Sequence, residues 1–289
     1  MTSTSTEICM DCSSLQRYEG PEEGLAAADL PVLLSGKSSW KDWQVDIVDL
    51  LRKFYGDRRI SEFRTVYGSA LQIPRQLRAR HAKLLDEILS AWTLSRYLDA
   101  AREEDLPVYL ANLALLDLPE VNKYYERCTK MGANLLRHVE KAAAPELFVG
   151  ARNTQYGGLH VDAAGGSVWC LCLAGKKEWV VFPPSDSEDL MPHRCGDRQL
   201  RHSFLNPWNA AACSQYSMER LHPYRVVLRV GEALFLPPNW WHITRNHGLT
   251  ITINERMWGW KTLPYLVRWF WYMASGKLLP GTRQPFVLY

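Results

Sequence analysis

Apolar residues recur at helical spacing in four stretches, and in short runs elsewhere they alternate or cluster as in strands. The two textures divide the chain near residue 145. Before that point, residues 30–36 (LPVLLSG) read as a short buried strand closed by a turn. Residues 46–54 (DIVDLLRKF) read as a helix stopped by Gly56 and Asp57, and residues 59–67 as an alternating strand. Residues 74–101 form a long helical pattern whose stripe is Leu77, Leu84, Leu85, Ile88, Leu89 and Trp92. Residues 107–113 return to strand character, and residues 123–142 to a helix. Beyond 145, eight short β-rich runs follow: 146–150, 158–162, 168–173, 178–182, 224–230, 233–236, 240–244 and 249–254, with Gly, Pro and Asn between most of them. Many short strands with such punctuation point to a barrel or sandwich. A polar irregular insertion, residues 185–223, interrupts them; segments of that length in a compact domain are usually functional. The aromatic run 263–274 (LPYLVRWFWYMA) has a helical pattern too short to span a bilayer.

These elements predict a mostly β protein with added helices. Residues 1–28 form a flexible leader, 29–145 a mixed helical and strand layer, 146–260 the β core, and 261–289 an aromatic helix and tail. Composition narrows the picture. With 47 % hydrophobic and 22 % charged residues the chain is an ordinary globular protein and not a disordered or fibrous one. A formal charge of +3, from 34 basic and 31 acidic residues, is too weak to argue for nucleic acid. The surplus is aromatic: 12 Trp and 13 Tyr call for a thick core, an aromatic pocket or a partner surface. Seven scattered Cys, after an N-terminus without a secretory pattern, read as reduced thiols of a cytoplasmic protein, with the Cys9-x-x-Cys12 pair incidental. The Gly175-Lys176-Lys177 turn lacks the rest of a phosphate loop.

The chemistry concentrates at Leu159-His160-Val161-Asp162. On a strand, residues i and i+2 face the same way, so His160 and Asp162 are expected to converge on one point. A second histidine, His242, ends the run GEALFLPPNWWH, a strand-turn-strand frame able to bring it opposite the first pair. Two His and one carboxylate on one face of a metal is the arrangement of non-haem Fe(II) oxygenases, whose open positions admit O₂ and a cosubstrate. His81, His138, His193, His202, His222 and His247 are left outside this set.

The stretch HVDAAGGSVWCLCLAGKKEWVVFPP, with GEALFLPPNWWH and TITIN, resembles the Jumonji-C branch of the cupin superfamily. In motif spacing it is most like the lysyl-hydroxylase, arginine-demethylase and asparaginyl-hydroxylase kinds. LPVLLSG, the Trp40 region, YGDRRISEF and PVYLAN fit the same order, so the resemblance covers roughly residues 30 to 260. It implies a double-stranded β-helix (jelly-roll) and dependence on Fe(II), 2-oxoglutarate and O₂. His160, Asp162 and His242 match the family's iron ligands, and Lys177 matches the lysine that meets the far carboxylate of 2-oxoglutarate. Lys176 should then point to solvent. Tyr109 matches a tyrosine reaching the same carboxylate, or is a core tyrosine; Asn254 matches a polar residue of the pocket.

Two positions depart from the family pattern. Gly157 stands where Thr or Ser is common, and Cys170 where Asn is frequent, so Tyr156, Thr154 or Thr252 would have to supply contacts to the cosubstrate. Asp162 argues against a halide in its place. Trp169, Trp179, Trp240 and Trp241 lie in or beside the site strands, some facing the pocket and most in the core. The resemblance implies hydroxylation of a peptide or protein side chain, with succinate and CO₂ as co-products. The alternatives are a hydroxylase of a peptide-derived natural product, a demethylase of N-methyl lysine or arginine, an RNA nucleoside hydroxylase, and a non-catalytic binding cupin. The run from His193 to His202 is either a substrate clamp or a solvated loop, and residues 263–272 either cap the barrel or form a homodimer contact.

Overall fold

The computed structural model describes residues 8–15, 17, 18, 25, 28–65, 68, 69, 71, 72, 81–104, 106–127, 134–136, 144–190 and 202–274. In chain order the strands are β1 (Ser13–Ser14), β2 (Val32–Ser35), β3 (Arg64–Thr65), β4 (Gly68–Ser69), β5 (Leu71–Gln72), β6 (Tyr109–Ala114), β7 (Glu146–Gly150) and β8 (Gln155–His160). They continue as β9 (Ser167–Ala174), β10 (Lys176–Phe182), β11 (His202–Ser203), β12 (Tyr224–Arg229), β13 (Glu232–Leu236), β14 (Trp241–Asn246) and β15 (Thr250–Met257). Six form one sheet in the order β1-β12-β10-β14-β8-β11, and seven form another in the order β2-β13-β9-β15-β7-β6-β5. From β7 to β10, and again from β12 to β15, successive strands pass from one sheet to the other. Two facing sheets wound in this way are the expected jelly-roll.

Strand alternation sorts the side chains into an inner and two outer sets. Cys170, Cys172, Trp179, Val181, Leu228 and Leu234 pack inside the roll. Trp169, Leu171, Leu147, Val149, Phe235, Ile251 and Ile253 face out from the seven-stranded sheet, where the helices Ile47–Tyr55, Ala82–Ala91 and Leu94–Glu103 cover them. Leu159, Val161, Val180, Phe182, Trp241 and Ile243 face out from the other sheet, under Leu205, Trp208 and Cys213 of the insertion. The helix Ile47–Tyr55 starts where Asp46 accepts a hydrogen bond from Val48 N, and it buries Ile47, Val48, Leu50 and Leu51.

Several expectations need correction. The pattern of residues 74–101 is broken: among its described part, one helix ends at Ala91 and another begins at Leu94. Thr93 caps the second helix and bridges to Arg59, which holds residues 92–93 extended. Residues 59–67 are not a continuous strand, because Ile60–Glu62 is a 3-10 turn before β3. Residues 123–127 are turn and a single Trp40–Tyr125 bridge in place of the helix start expected there; most of 128–142 lies outside the described residues. The leader is docked in part: β1 pairs with β12, and Arg17 bridges to Leu33 and forms an ion pair with Glu232. The thiols are not all reduced, since Cys9 is disulfide-bonded to Cys213. Packing explains the pairing: Cys9 N donates to Pro207 O, seating the N-terminal segment against the insertion. That bond removes the cysteine count as an argument for a reducing compartment. Cys12, Cys170 and Cys172 are free, and Cys128 and Cys195 lie outside the described residues.

Candidate metal centre

His160 is the last residue of β8 and His242 the second of β14, and the two strands pair with these residues directly opposite. Their ring centroids are 4.3 Å apart. Asp162 is not on the strand as expected. β8 ends at His160, and the chain turns through Ala163–Gly165, where Ala164 takes a left-handed φ of 55°. The turn still delivers the carboxylate: Asp162 Oδ1 lies 3.9 Å from His160 Nε2, and Oδ2 lies 3.9 Å from His242 Nε2. One ligand atom from each of the three residues lies within 4.8 Å of the others, and among the described residues this is the group with metal-binding geometry.

The second nitrogen of each ring is committed to the backbone. His160 Nδ1–H donates to Gly158 O at 2.8 Å, and His242 Nδ1–H to Trp240 O at 3.3 Å. This tautomer leaves each Nε2 lone pair aimed at the common point, as metal-binding imidazoles require. Burial pushes both imidazole pKa values down, that of His160 to about 4 with help from the neighbouring His242. Both rings are therefore neutral at pH 7 and ready to bind a cation without losing a proton. The carboxylate supplies the negative charge. The donor set, its tautomers and its partial exposure fit a divalent metal.

One layer further along the bore is a buried cation. Lys177 is 1 % exposed, while Lys176 beside it faces solvent as expected. The ammonium donates to the Tyr109 hydroxyl at 3.1 Å and to Thr252 Oγ1 at 3.4 Å, and lies over the rings of Phe148, Trp179 and Tyr109. Among the described residues no carboxylate pairs with it. Burial works against its charge, while Tyr109 and the thiols of Cys170 and Cys172 work for it, and its pKa ends above the usual lysine range. At pH 7 those thiols are neutral, pushed up by burial to about 11 and about 12. A buried ammonium facing only neutral groups is costly, and an anion in front of it relieves that cost.

Trp179 joins the two parts of the site. Its ring lies 5.4 Å from Lys177 Nζ and 5.6 Å from the His242 ring, and its buried Nε1–H has no acceptor among the described residues. Asn254, opposite Cys170 on β9, keeps a buried Oδ1 without a donor. Groups left open between a metal triad and a lysine are where a small dicarboxylate would find partners. Gly150 makes room here, because a Cβ would meet Asn246 Nδ2 at 1.9 Å and Tyr109 Cε2 at 2.7 Å. Gly157 has a left-handed φ of 63°, which disfavours the Thr or Ser common in the family. Of the substitutes, Thr252 contacts Lys177, Thr154 is engaged with Asn246 and Ala151, and the Tyr156 side chain lies outside the described set.

All seven candidate residues thus lie along one bore: His160, Asp162 and His242 at one end, Lys177, Tyr109 and Thr252 deeper, Asn254 on the wall. Phe148 was not singled out; Trp179 was among the four tryptophans placed in or beside the site strands, and it is one that faces the inside of the roll. Trp169 and Trp241 pack outside the roll. His202 was set aside, yet it pairs opposite His160 and stacks on it at 5.8 Å. His247 is structural and donates to Glu178 at 2.9 Å.

A family model described as a cupin-like domain matches residues 23–275. The chain belongs to the cupin-like family. This cupin-like chain is 21 % identical over 236 residues to the bifunctional arginine demethylase and lysyl-hydroxylase psr-1 of Caenorhabditis briggsae, covering 78 % of this chain and 55 % of that protein. It is 29 % identical over 115 residues to the mouse (Mus musculus) 2-oxoglutarate and iron-dependent oxygenase JMJD4, covering 38 % and 25 %. To the arginine-specific demethylase JMJ22 of Arabidopsis thaliana it is 24 % identical over 164 residues, covering 55 % and 32 %. The cupin-like chain therefore spans from a quarter to about half of the length of these relatives.

Proposed function

We propose that this cupin-like domain is an Fe(II)- and 2-oxoglutarate-dependent dioxygenase that hydroxylates a C–H bond of a peptide or protein side chain. The observation that carries the reading is the pairing of a two-His, one-carboxylate triad with a buried lysine that has no carboxylate partner among the described residues, one tryptophan ring away. His160, Asp162 and His242 hold the iron, and Lys177 with Tyr109 and Thr252 receives the distal carboxylate of 2-oxoglutarate. Trp179 and Asn254 line the space between. Iron with 2-oxoglutarate and O₂ supplies oxidising power that no amino-acid side chain has, giving succinate and CO₂ as co-products. The chain's own part is orientation and exclusion of water. The Gly158 and Trp240 carbonyls fix the imidazoles, the outer core clamps β8 and β14, and the aromatic walls keep the Lys177 ammonium from bulk solvent.

The experiment is mass spectrometry of candidate peptides incubated with the protein, Fe(II) and 2-oxoglutarate. A gain of one oxygen atom, absent without 2-oxoglutarate, supports the reading. Turnover of 2-oxoglutarate with loss of a methyl group as formaldehyde would redirect it to demethylation, which the names of two relatives favour as second reading.

The helix Leu263–Ala274 supports a contact between two copies of the chain. Trp260 is 72 % exposed, and Val267, Phe270 and Trp271 on the helix are also exposed, an apolar surface that association would cover. Sedimentation of the full chain against one ending at Lys261 tests this: a dimer that becomes a folded monomer supports the contact, and an unchanged mass removes it. Among the described residues no helix is long and apolar enough to cross a membrane.

A further inference from the structure

We infer that His202 is a positioning residue of the metal centre, its ring set against His160 so that the insertion, residues 185–223, takes part in metal binding. The inference rests on the reading of His160, Asp162 and His242 as the metal ligands. Three imidazoles stand in one row across the sheet: His242 on β14 lies opposite His160 on β8, which lies opposite His202 on β11. The strands are neighbours in the order β14-β8-β11. His160 is therefore flanked on one side by a fellow ligand and on the other by a histidine outside the triad.

His202 joins this row because the residues after it are held on the opposite side. Ser203 pairs with Leu159, whose side chain belongs to the outer core. The Ser203 hydroxyl donates to the Tyr216 hydroxyl at 3.1 Å and accepts from Leu205 N at 3.2 Å. Leu205 is buried in that outer core with Trp208 and Cys213 of the same insertion. With Ser203 and Leu205 fixed on the outer side, strand alternation turns His202 toward His160. Among the described strands β11 is the last of its sheet. Without it, the His160 ring would present one flank at a sheet edge.

The ring of His160 needs a constraint that the triad does not supply. Its Nδ1–H is held by Gly158 O at 2.8 Å, which anchors one edge of the imidazole. Nε2 lies on the far edge, where rocking of the ring displaces it most. The His242 ring, 4.3 Å away, is inclined to His160 by 55° and meets it at an angle. The His202 ring is inclined by only 22° at 5.8 Å, within the range of offset stacking. A near-parallel ring lies along the face of its neighbour and limits that rocking. Groups that orient a metal ligand in this way are commonly worth about 10- to 100-fold in metal affinity.

The test is Co(II) titration of the full chain. Equilibrium dialysis gives the affinity and the visible absorption of the bound ion reports its ligand geometry. Both are read at a temperature where melting of the metal-free protein shows every variant folded. His202→Ala should weaken Co(II) binding about 10-fold or more and change the absorption bands. His202→Phe restores a flat ring without a nitrogen, and should return affinity to within about threefold of wild type, with wild-type bands. Affinity and bands unchanged in His202→Ala overturn the inference, even if that variant melts lower, because His202 is then only structural. A Phe variant as weak as the Ala variant also overturns it, since a nitrogen and not the stacked ring would be what counts. His160→Ala, run in parallel, tests the reading beneath. Equal Co(II) binding by wild type and His160→Ala sinks that reading and this inference together. Loss of binding in His160→Ala with no change in His202→Ala sinks this inference alone.

Discussion

Lys177→Met removes the buried ammonium and keeps most of the side chain's volume. In the ligand-free protein the ammonium is 1 % exposed and meets two hydroxyls, three aromatic rings and two neutral thiols, with no anion among the described residues. Replacing such a buried charge by a well-packed apolar group is commonly neutral or stabilising. The melting temperature of the variant without cosubstrate should therefore stay level or rise. Cosubstrate binding should move the opposite way. Losing one partner of a buried, hydrogen-bonded charge pair costs about 2–5 kcal/mol, which is roughly 30- to 5000-fold in Kd. Calorimetric titration of 2-oxoglutarate into protein loaded with a divalent metal, beside thermal melting of the ligand-free protein, reads both effects. A melting temperature several degrees lower with affinity within about threefold of wild type would make Lys177 a structural residue and refute the reasoning.

Three further outcomes follow from the structure. Glu178 is fully buried, gripped by Arg225 at 2.7 Å, Arg245 at 2.8 Å and His247 at 2.9 Å. Burial alone would raise its pKa, but hydrogen bonds from His247 and Arg245 and the charges of Arg245 and Arg225 hold it down from 4.5 to about 2. A depressed carboxylate adds stability above its unfolded pKa and loses it as pH falls through the folded one, so stability should drop from about pH 5 toward 2. Glu178→Gln should flatten that acid limb and cost about 3 kcal/mol at pH 7 in denaturant titrations, the shift converted to free energy. Trp241→Ala empties a fully buried site behind His242, where the indole donates to Ser187 Oγ at 3.0 Å. It should cost about 3–5 kcal/mol in unfolding free energy. His160→Ala and His242→Ala should each lose divalent-metal binding in equilibrium dialysis while melting close to wild type.

Where local pattern decides structure, the sequence was enough. β7 and the helix Leu263–Ala274 have the expected bounds, because each is a dense apolar run between punctuating residues. Alternation also separated Lys177 from Lys176. What stayed hidden depends on contacts between residues distant in sequence. The break before Thr93 comes from pairing with Arg59. Docking of the N-terminal segment depends on β12 and Cys213, about 200 positions away. His202 meets His160 only through the two-residue β11. Asp162 shows a subtler case: the i, i+2 rule presumed that β8 continues, yet a turn with Ala164 left-handed brings the carboxylate to the same point.

The central claim is that His160, Asp162 and His242, with Lys177 behind them, make an iron and 2-oxoglutarate centre. Succinate formation from 2-oxoglutarate under air, with Fe(II) supplied, tests it most directly in wild type beside His160→Ala and Asp162→Ala. Succinate from wild type, with both folded variants at the level of buffer, is the result predicted. No succinate from folded, iron-loaded wild type, or equal succinate from His160→Ala, would contradict it.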